Sequence, residues 1–407
     1  MPAIGIIAEY NPFHNGHKYQ LKTIREKFNN AEIIVAMSGS ITQRGETAIL
    51  DKWSRAETAV ANGADLVIEL PAVYAIRSAQ DFARGGVRLF NSLNIVDNLA
   101  FGTEYPEDNR LQKAGEFLET SNAQNLLHEK IKKGLSYATA VTELLKENFG
   151  FSEDILREPN TILGLEYIRS IIHTGSAIKP MPLLRKGASH RQENISDNIA
   201  SGTAIRQEAK KSLPDYEKIS EAVPQEILYS LKENFADNNK LLLPLIYSLN
   251  NIIINNLQNI YGISEGIENR LLGSLKNPHS LGDILNSMTT RRYTVARCQR
   301  AIMYLLLGIT HDEMMTFDNM PPQYVRVLAF NDTGRTLLKK IKEASPLPLI
   351  TKTSDYLNSQ DILNNNIHTD LQKMLSIDVK STNLQGLCFN SPQTNLDFTT
   401  SPVYVNT

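Results

Sequence analysis

Two histidines three positions apart, in His14-Asn15-Gly16-His17, follow closely on the apolar run Ala3 to Ala8. A helix that begins at such a point offers unpaired N–H groups and a partial positive charge to an anion. Gly16 leaves room for a nucleotide beside the backbone, because no side chain stands in the way. The two imidazoles can donate hydrogen bonds to phosphate oxygens, and they do so best as charge builds at an α-phosphorus in the transition state. His14 and His17 are therefore the candidate catalytic pair, clamping phosphate without transferring a proton. Two simpler readings compete: loop histidines on the surface, and metal ligands. A metal held by His-x-x-His needs a third ligand, and no nearby His or Cys supplies one, so no metal site is expected.

Further segments could complete such a site. Met37-Ser38-Gly39-Ser40 ends a second apolar run, and Gln43-Arg44-Gly45-Glu46 comes next. Ser38 and Gly39 could line the floor and Arg44 could meet an anion; a plain turn with a solvated arginine is the alternative. In Phe101-Gly102-Thr103-Glu104, Gly102 either admits a nucleotide or simply makes a turn. Asn160, in Pro159-Asn160-Thr161, is placed to cap a helix or to hydrogen-bond adenine or ribose. Leu184-Arg185-Lys186-Gly187 has His190 close behind. Arg185 and Lys186 suit a β- or γ-phosphate, Arg best of all, unless they are a solvated pair. Ser201-Gly202-Thr203-Ala204-Ile205-Arg206 starts another helix, where Ser201, Thr203 and Arg206 either hold phosphate or form an ordinary cap.

What must position these residues is an alternating chain. Strands at Ile4–Ala8, Glu32–Met37, Asp65–Leu70 and Asn98–Phe101 are separated by helices at His17–Phe28, Asp51–Asn62 and Asp81–Ser92. That alternation predicts parallel βαβ units with right-handed crossovers, and ligands then sit at the carboxyl ends of the strands. Helices follow at Asn109–Leu118, Asn122–Lys133, Ala138–Asn148 and Thr161–Ile172, then a strand at Ile178–Leu184. The expected fold is α/β, a Rossmann-like parallel sheet, followed by a mostly helical region and a small α/β C-terminal region. The expected divisions are 1–213, 214–321 and 322–407. In the last, strands are expected at Tyr324–Phe330 and Pro348–Thr351, a helix at Gly334–Glu343, and an edge strand at Phe398–Val405.

Bulk properties narrow the classes. A chain of 407 residues exceeds one ordinary core, and a net charge of −2 excludes a globally basic nucleic-acid binder while leaving room for one positive face. Two distant cysteines, Cys298 and Cys388, argue against a disulfide framework and for a reduced, cytoplasmic setting. The first apolar run lacks a basic flank and a cleavage site, so it reads as a strand and not as a signal peptide. No run approaches the ~20 apolar residues needed to span a bilayer. A membrane partner is not expected, and no stable protein partner is inferred.

The first loop resembles the signature of the HIGH-type nucleotidyltransferase superfamily, and Ser201–Arg206 resembles that superfamily's second signature. More of the chain narrows the resemblance. Ala8-Glu9-Tyr10-Asn11-Pro12-Phe13-His14-Asn15-Gly16-His17, Met37-Ser38-Gly39, Gln43-Arg44-Gly45-Glu46, Gly63–Pro71 and Phe101-Gly102-Thr103-Glu104 together look like the bacterial tRNA(Met) cytidine acetate ligase family. Glu265-Gly266-Ile267-Glu268-Asn269-Arg270, Arg291-Arg292-Tyr293-Thr294 with Arg297, and Phe330-Asn331-Asp332-Thr333-Gly334-Arg335 resemble it as well. The similarity spans nearly the whole chain.

The resemblance implies a two-step ligase. ATP and acetate would give acetyl-adenylate and pyrophosphate, and the acetyl group would pass to N4 of the wobble cytidine of elongator tRNA(Met). ATP contacts would fall on Ile7, Ala8, Glu9, Tyr10, Asn11, Pro12, Phe13, His14, Asn15, Gly16, His17, Lys18, Tyr19 and Gln20, with Gly102, Asn160 and Arg185. Mg²⁺ would be expected to neutralise the departing pyrophosphate, although no dedicated carboxylate cage is visible. Arg291, Arg292, Arg297 and Arg300 around Tyr293 are candidate tRNA contacts, since Arg can meet the backbone and Tyr can stack on an unpaired base; a solvated basic helix start is the alternative. Two other functions share parts of this pattern: a nucleotidyltransferase acting on a small phosphorylated metabolite, and a non-catalytic tRNA-binding factor that responds to ATP.

Overall fold

The computed structural model describes residues 1–104, 109–135, 137–152, 158–185, 195, 198–252 and 254–406. Strands β1 (Ala3–Ala8), β2 (Glu32–Ser38), β3 (Leu66–Leu70), β4 (Asn98–Thr103) and β5 (Lys179–Leu184) lie in the order β5-β4-β1-β2-β3, each neighbouring pair parallel. Connecting helices are α1 (Asn15–Lys27), α2 (Lys52–Ala61), α3 (Ala72–Ala75) and α4 (Ala79–Leu93). The order reverses between β1 and β4, and a crevice opens at such a reversal beyond the strand ends.

Strand periodicity decides which residues serve which layer. Ile33, Val35 and Met37 of β2 join one apolar core with Leu21 and Ile24 of α1 and Trp53 and Ala56 of α2. Ile34 and Ala36 point the other way, into a core with Phe82 and Val87 of α4 and Leu165 and Ile168 of helix Pro159–His173. Successive side chains alternate across the sheet, so a run apolar at every position is buried on both faces.

The C-terminal strands extend this same sheet. β6 (Val325–Phe330) pairs antiparallel with β3, and β7 (Leu349–Ile350) and β8 (Val403–Tyr404) pair with β6. The expected edge strand at Phe398–Val405 is mostly otherwise: Leu396–Thr399 is a helical turn, and only Val403–Tyr404 is extended. A long helix, Asp370–Cys388, was not anticipated. It buries Ser376, Asp378, Ser381, Thr382 and Gln385 as well as Leu375 and Val379, so no apolar stripe of helical period advertises it.

Beneath the sheet's outer half lies a buried ion network. Lys52 Nζ is 2.8 Å from both Glu69 Oε1 and Asp397 Oδ1, and Arg326 bridges the same carboxylates at 3.3 and 2.5 Å. Asp378, buried beside Glu69, accepts from the Ala72 N–H at 2.7 Å and from the Tyr324 hydroxyl. Burial first, and the nearby Glu69 second, push its carboxyl up to about 7. Burial also works to raise Asp397, but Arg326 and Lys52 outweigh it and hold that carboxyl below its usual range.

Candidate active site

A cavity of about 420 Å³ opens at the carboxyl ends of β1, β4 and β5. The first loop supplies one wall, and its conformation is fixed from several directions. Arg55, buried on α2, donates to the carbonyls of Glu9 (2.6 Å), Ser38 (3.1 Å) and Gly39. Asn11 Oδ1 accepts from the Ile49 N–H at 2.8 Å, and Arg206 Nη1 donates to the Asn11 carbonyl at 2.7 Å. The Asn11–Pro12 peptide is cis.

The histidines cap the helix that follows. His14 is the N-cap of α1; its Nδ1 accepts from the Gly16 N–H at 3.1 Å, and His17 Nδ1 accepts from the His14 N–H at 3.2 Å. A neutral imidazole that accepts at Nδ1 carries its proton on Nε2. Both rings are therefore set as Nε2–H donors, stacked with centroids 3.7 Å apart, and both line the cavity. A Cβ at position 16 would lie 2.9 Å from the His14 ring, so glycine there lets the ring keep its place.

Opposite, the end of β4 and the start of helix Pro159–His173 build a charged cluster. Arg185 Nη1 lies 3.3 Å from Glu104 Oε1, and the Thr161 hydroxyl donates to Glu104 Oε2 at 3.1 Å. With its amide oxygen toward Arg185, Asn160 accepts from Nη1 at 2.7 Å and Nε at 3.2 Å. Arg185 and Asn160 reach the cavity wall, as does Gly102. Apolar walls come from Phe82, Ala100, Phe101, Leu163, Tyr167 and Leu183.

A third wall joins the loop after β2 to helix Gly202–Ala209. Gln43, Arg44, Glu46, Thr203 and Arg206 all line the cavity. Burial lowers the Arg206 guanidinium from its usual range, partly offset by Glu46 and Glu9. Glu46 accepts from Gln299 Nε2 at 2.8 Å, which ties this wall to helix Val295–Leu307.

Most of the expected first-loop residues meet here: Ile7, Ala8, Glu9, Tyr10, Asn11, Pro12, His14, Gly16, His17, Tyr19 and Gln20 line the cavity. The others do not. Phe13 is buried in the core against Tyr10 and His17. Asn15 donates to the carbonyls of Asn198 and Glu221, tethering the loop from behind, and Lys18 is exposed on α1. Ser38 and Gly39 lie below the floor, where they present carbonyls to Arg55 instead of side chains to a ligand. Ser201 is the buried N-cap of its helix, accepting from the Ala204 N–H. Lys186 and His190 lie outside the described residues. The pattern singled out the polar lining but missed Phe82, Leu163 and Tyr167, which any buried helix would carry.

The arginine group divides. Arg292 and Arg297 reach Glu265 at 3.0 and 3.3 Å, and both guanidinium groups lie over the Tyr293 ring. Two distant motifs, at 265–270 and 291–297, thus form one patch, with Arg291 and Arg292 exposed. Tyr293 is 5% exposed and donates its hydroxyl to the Glu265 carbonyl. The expected stacking surface is therefore covered, because this ring holds the patch together. Arg300 is turned inward and donates to the Gln43 carbonyl at 3.3 Å.

This geometry agrees with the comparisons to known proteins. The family model described as HIGH Nucleotidyl Transferase matches residues 1–398. A tRNA(Met) cytidine acetate ligase of Thermoanaerobacter sp. is 38% identical, with 98% of each chain covered, and one of Halothermothrix orenii is 35% identical over 96% of each. The chain belongs to the tRNA(Met) cytidine acetate ligase family of HIGH nucleotidyl transferases. Two crystal structures of Thermotoga maritima TmcAL, each 29% identical and covered in full, superpose on it. The form bound with alpha-thio ATP gives a TM-score of 0.87, and the apo form 0.89. The family's similarity thus runs through the C-terminal strands and helices that close the sheet.

Proposed function

We propose that the protein is an ATP-dependent acetate ligase that forms acetyl-adenylate and transfers the acetyl group to N4 of the wobble cytidine of elongator tRNA(Met). The observation that carries this reading is the stacked His14–His17 pair at a helix N-terminus, facing Arg185 and Asn160 across one cavity. The full-length likeness to tRNA(Met) cytidine acetate ligases, and to a relative bound with alpha-thio ATP, supports it.

Acetate is a weak nucleophile, so the first step depends on alignment and on stabilising charge at the α-phosphate. The Nε2–H groups of His14 and His17 are preset donors for that charge, held by the backbone before ATP arrives. Arg185 and Asn160 suit the nucleotide on the β4 side, and the apolar walls suit the adenine ring and exclude water from the adenylate. Among the described residues no three His, Cys, Asp or Glu side chains gather as a metal-binding group. Mg²⁺ would accordingly be carried by the phosphates of ATP, supplying charge neutralisation. Arg291, Arg292 and Arg297 would meet the tRNA backbone, with Glu265 and Tyr293 fixing the patch.

The test is incubation with ATP, labelled acetate and a tRNA mixture, followed by nucleoside mass analysis. N4-acetylcytidine in elongator tRNA(Met) is expected. ATP–pyrophosphate exchange that ignores acetate would point instead to a nucleotidyltransferase for a phosphorylated metabolite. Full function after His14→Ala or His17→Ala would point to a non-catalytic factor.

A further inference from the structure

The acyl-transfer half of the reaction needs a group that accepts a proton from the attacking amine, and the described residues of the cavity offer few. His14 and His17 are unsuited, because each Nδ1 already accepts a backbone N–H and each Nε2 then carries the hydrogen. Among the described residues two carboxylates line the cavity, Glu9 and Glu46. Glu46 accepts from Gln299 and lies 3.9 Å from Arg206 Nη2. Glu9 makes no ion pair among the described residues; its Oε1 accepts from the Gln43 N–H at 2.6 Å.

The position of Glu9 matters as much as its chemistry. It follows β1 directly, five residues before His14, on the side of the cavity closed by the loop after β2. That loop rests on helix Val295–Leu307, whose first turn carries Arg297 of the candidate tRNA patch. A Cβ on Gly45 would lie 2.6 Å from the Arg300 backbone nitrogen, and Arg300 donates to the Gln43 carbonyl. One peptide neighbourhood thus touches both Glu9 and the helix that leads to the patch.

We propose that Glu9 is the catalytic base of acetyl transfer, an inference that rests on the function proposed above. The N4 amine attacks the acetyl carbonyl carbon of acetyl-adenylate and a C–N bond forms. The acyl C–O bond to the phosphate breaks, and AMP leaves with its electron pair. The proton lost by N4 passes to the Glu9 carboxylate and then to solvent.

The surroundings of Glu9 suit that task. Burial raises its carboxyl above the usual range, offset in part by the Gln43 N–H, Arg206 and Arg44, while Glu46 adds to the rise. Tyr167 and Arg55 face it from the neighbouring helices. A carboxylate poised nearer neutrality is a better base for a weakly acidic amine than an ordinary one.

The decisive measurement is single-turnover transfer from chemically prepared acetyl-adenylate to tRNA(Met), set beside acetate-dependent ATP–pyrophosphate exchange by the same preparation. Glu9→Gln should slow transfer about 100-fold and lower the transfer-to-exchange ratio at least about 30-fold. In the wild type the transfer rate should rise with pH as Glu9 ionises and then level. Glu9→Gln should lose that rise, and Glu9→Asp should keep it at a reduced rate. Transfer and exchange falling by one common factor would overturn the proposal and leave Glu9 an ATP contact, and so would a pH rise that survives in Glu9→Gln. A wild-type protein that moves no acetyl group from acetyl-adenylate to any tRNA would overturn the function reading itself, and this assignment with it.

Discussion

Two of the places where the molecule gathers buried charge treat it differently. Under the sheet, Lys52 and Arg326 each meet both Glu69 and Asp397, and these side chains are almost wholly buried. In the cavity, the Glu9 carboxylate accepts from the Gln43 N–H and makes no ion pair among the described residues, and Arg44 is exposed at the wall. Both regions are built from the same residue types on the same sheet. Opposite charges held in mutual ion pairs lock β3, β6 and the C-terminal segment together, whereas a carboxylate without an ion pair at the strand ends can engage a ligand. Perturbed ionisation marks both regions, so it is the buried ion pairing of Lys52 and Arg326 with Glu69 and Asp397 that tells scaffold from site.

Breaking the buried ion network should have the largest effect. Lys52→Met would leave Glu69 and Asp397 buried with one cation fewer, and should cost about 3–5 kcal/mol of stability. Urea unfolding followed by circular dichroism measures it, and exchange activity per folded molecule should persist. Breaking the cavity should do the reverse. His17→Ala removes a donor to the developing phosphate charge and should reduce acetate-dependent exchange about 10²–10³-fold, while the unfolding midpoint falls by no more than a lost helix cap allows, ~1 kcal/mol.

Asp378 sharpens the comparison through pH. Its carboxyl is raised to about 7 in the folded state, so its contribution to stability is complete below the ordinary Asp range and is lost as pH rises through about 7. Asp378→Asn cannot titrate. The stability gap between wild type and variant, read from unfolding midpoints between pH 4 and 8, should therefore narrow as pH rises. A gap that widens would show that Asp378 is ionised in the fold. The smallest effect belongs to the surface patch. Arg292→Ala should leave exchange without tRNA unaltered, weaken tRNA binding a few-fold, and reduce the slope of log affinity against log salt by about one; filter binding at several salt concentrations gives the slope.

Sequence alone reached the N-terminal half of the fold because its strands are apolar at every position and its helices keep one apolar stripe. It also reached the first loop, where Pro12, Gly16 and the two histidines have few roles in common. It did not reach helix Asp370–Cys388. That helix lies between other elements and hydrogen-bonds through Gln385 to the carbonyls of Ala48 and Leu50, and its buried positions mix polar with apolar residues all round. Tyr293 failed for a related reason: an aromatic between arginines fits a stacking platform and a packed brace equally well, and only its 5% exposure separates them.

The sequence determined the strand-loop-helix unit that carries His14 and His17, because local periodicity, Gly16 and the capping pattern act within a few residues. Only the tertiary structure decided which distant residues join them. Arg185 and Asn160 arrive beside β4 because the strand order reverses at β1, and Glu9 faces the loop at Gln43 because Arg55 gathers three strand-end carbonyls around one guanidinium. Those meetings depend on sheet order and on which buried groups complete one another, and neither is written in the spacing along the chain.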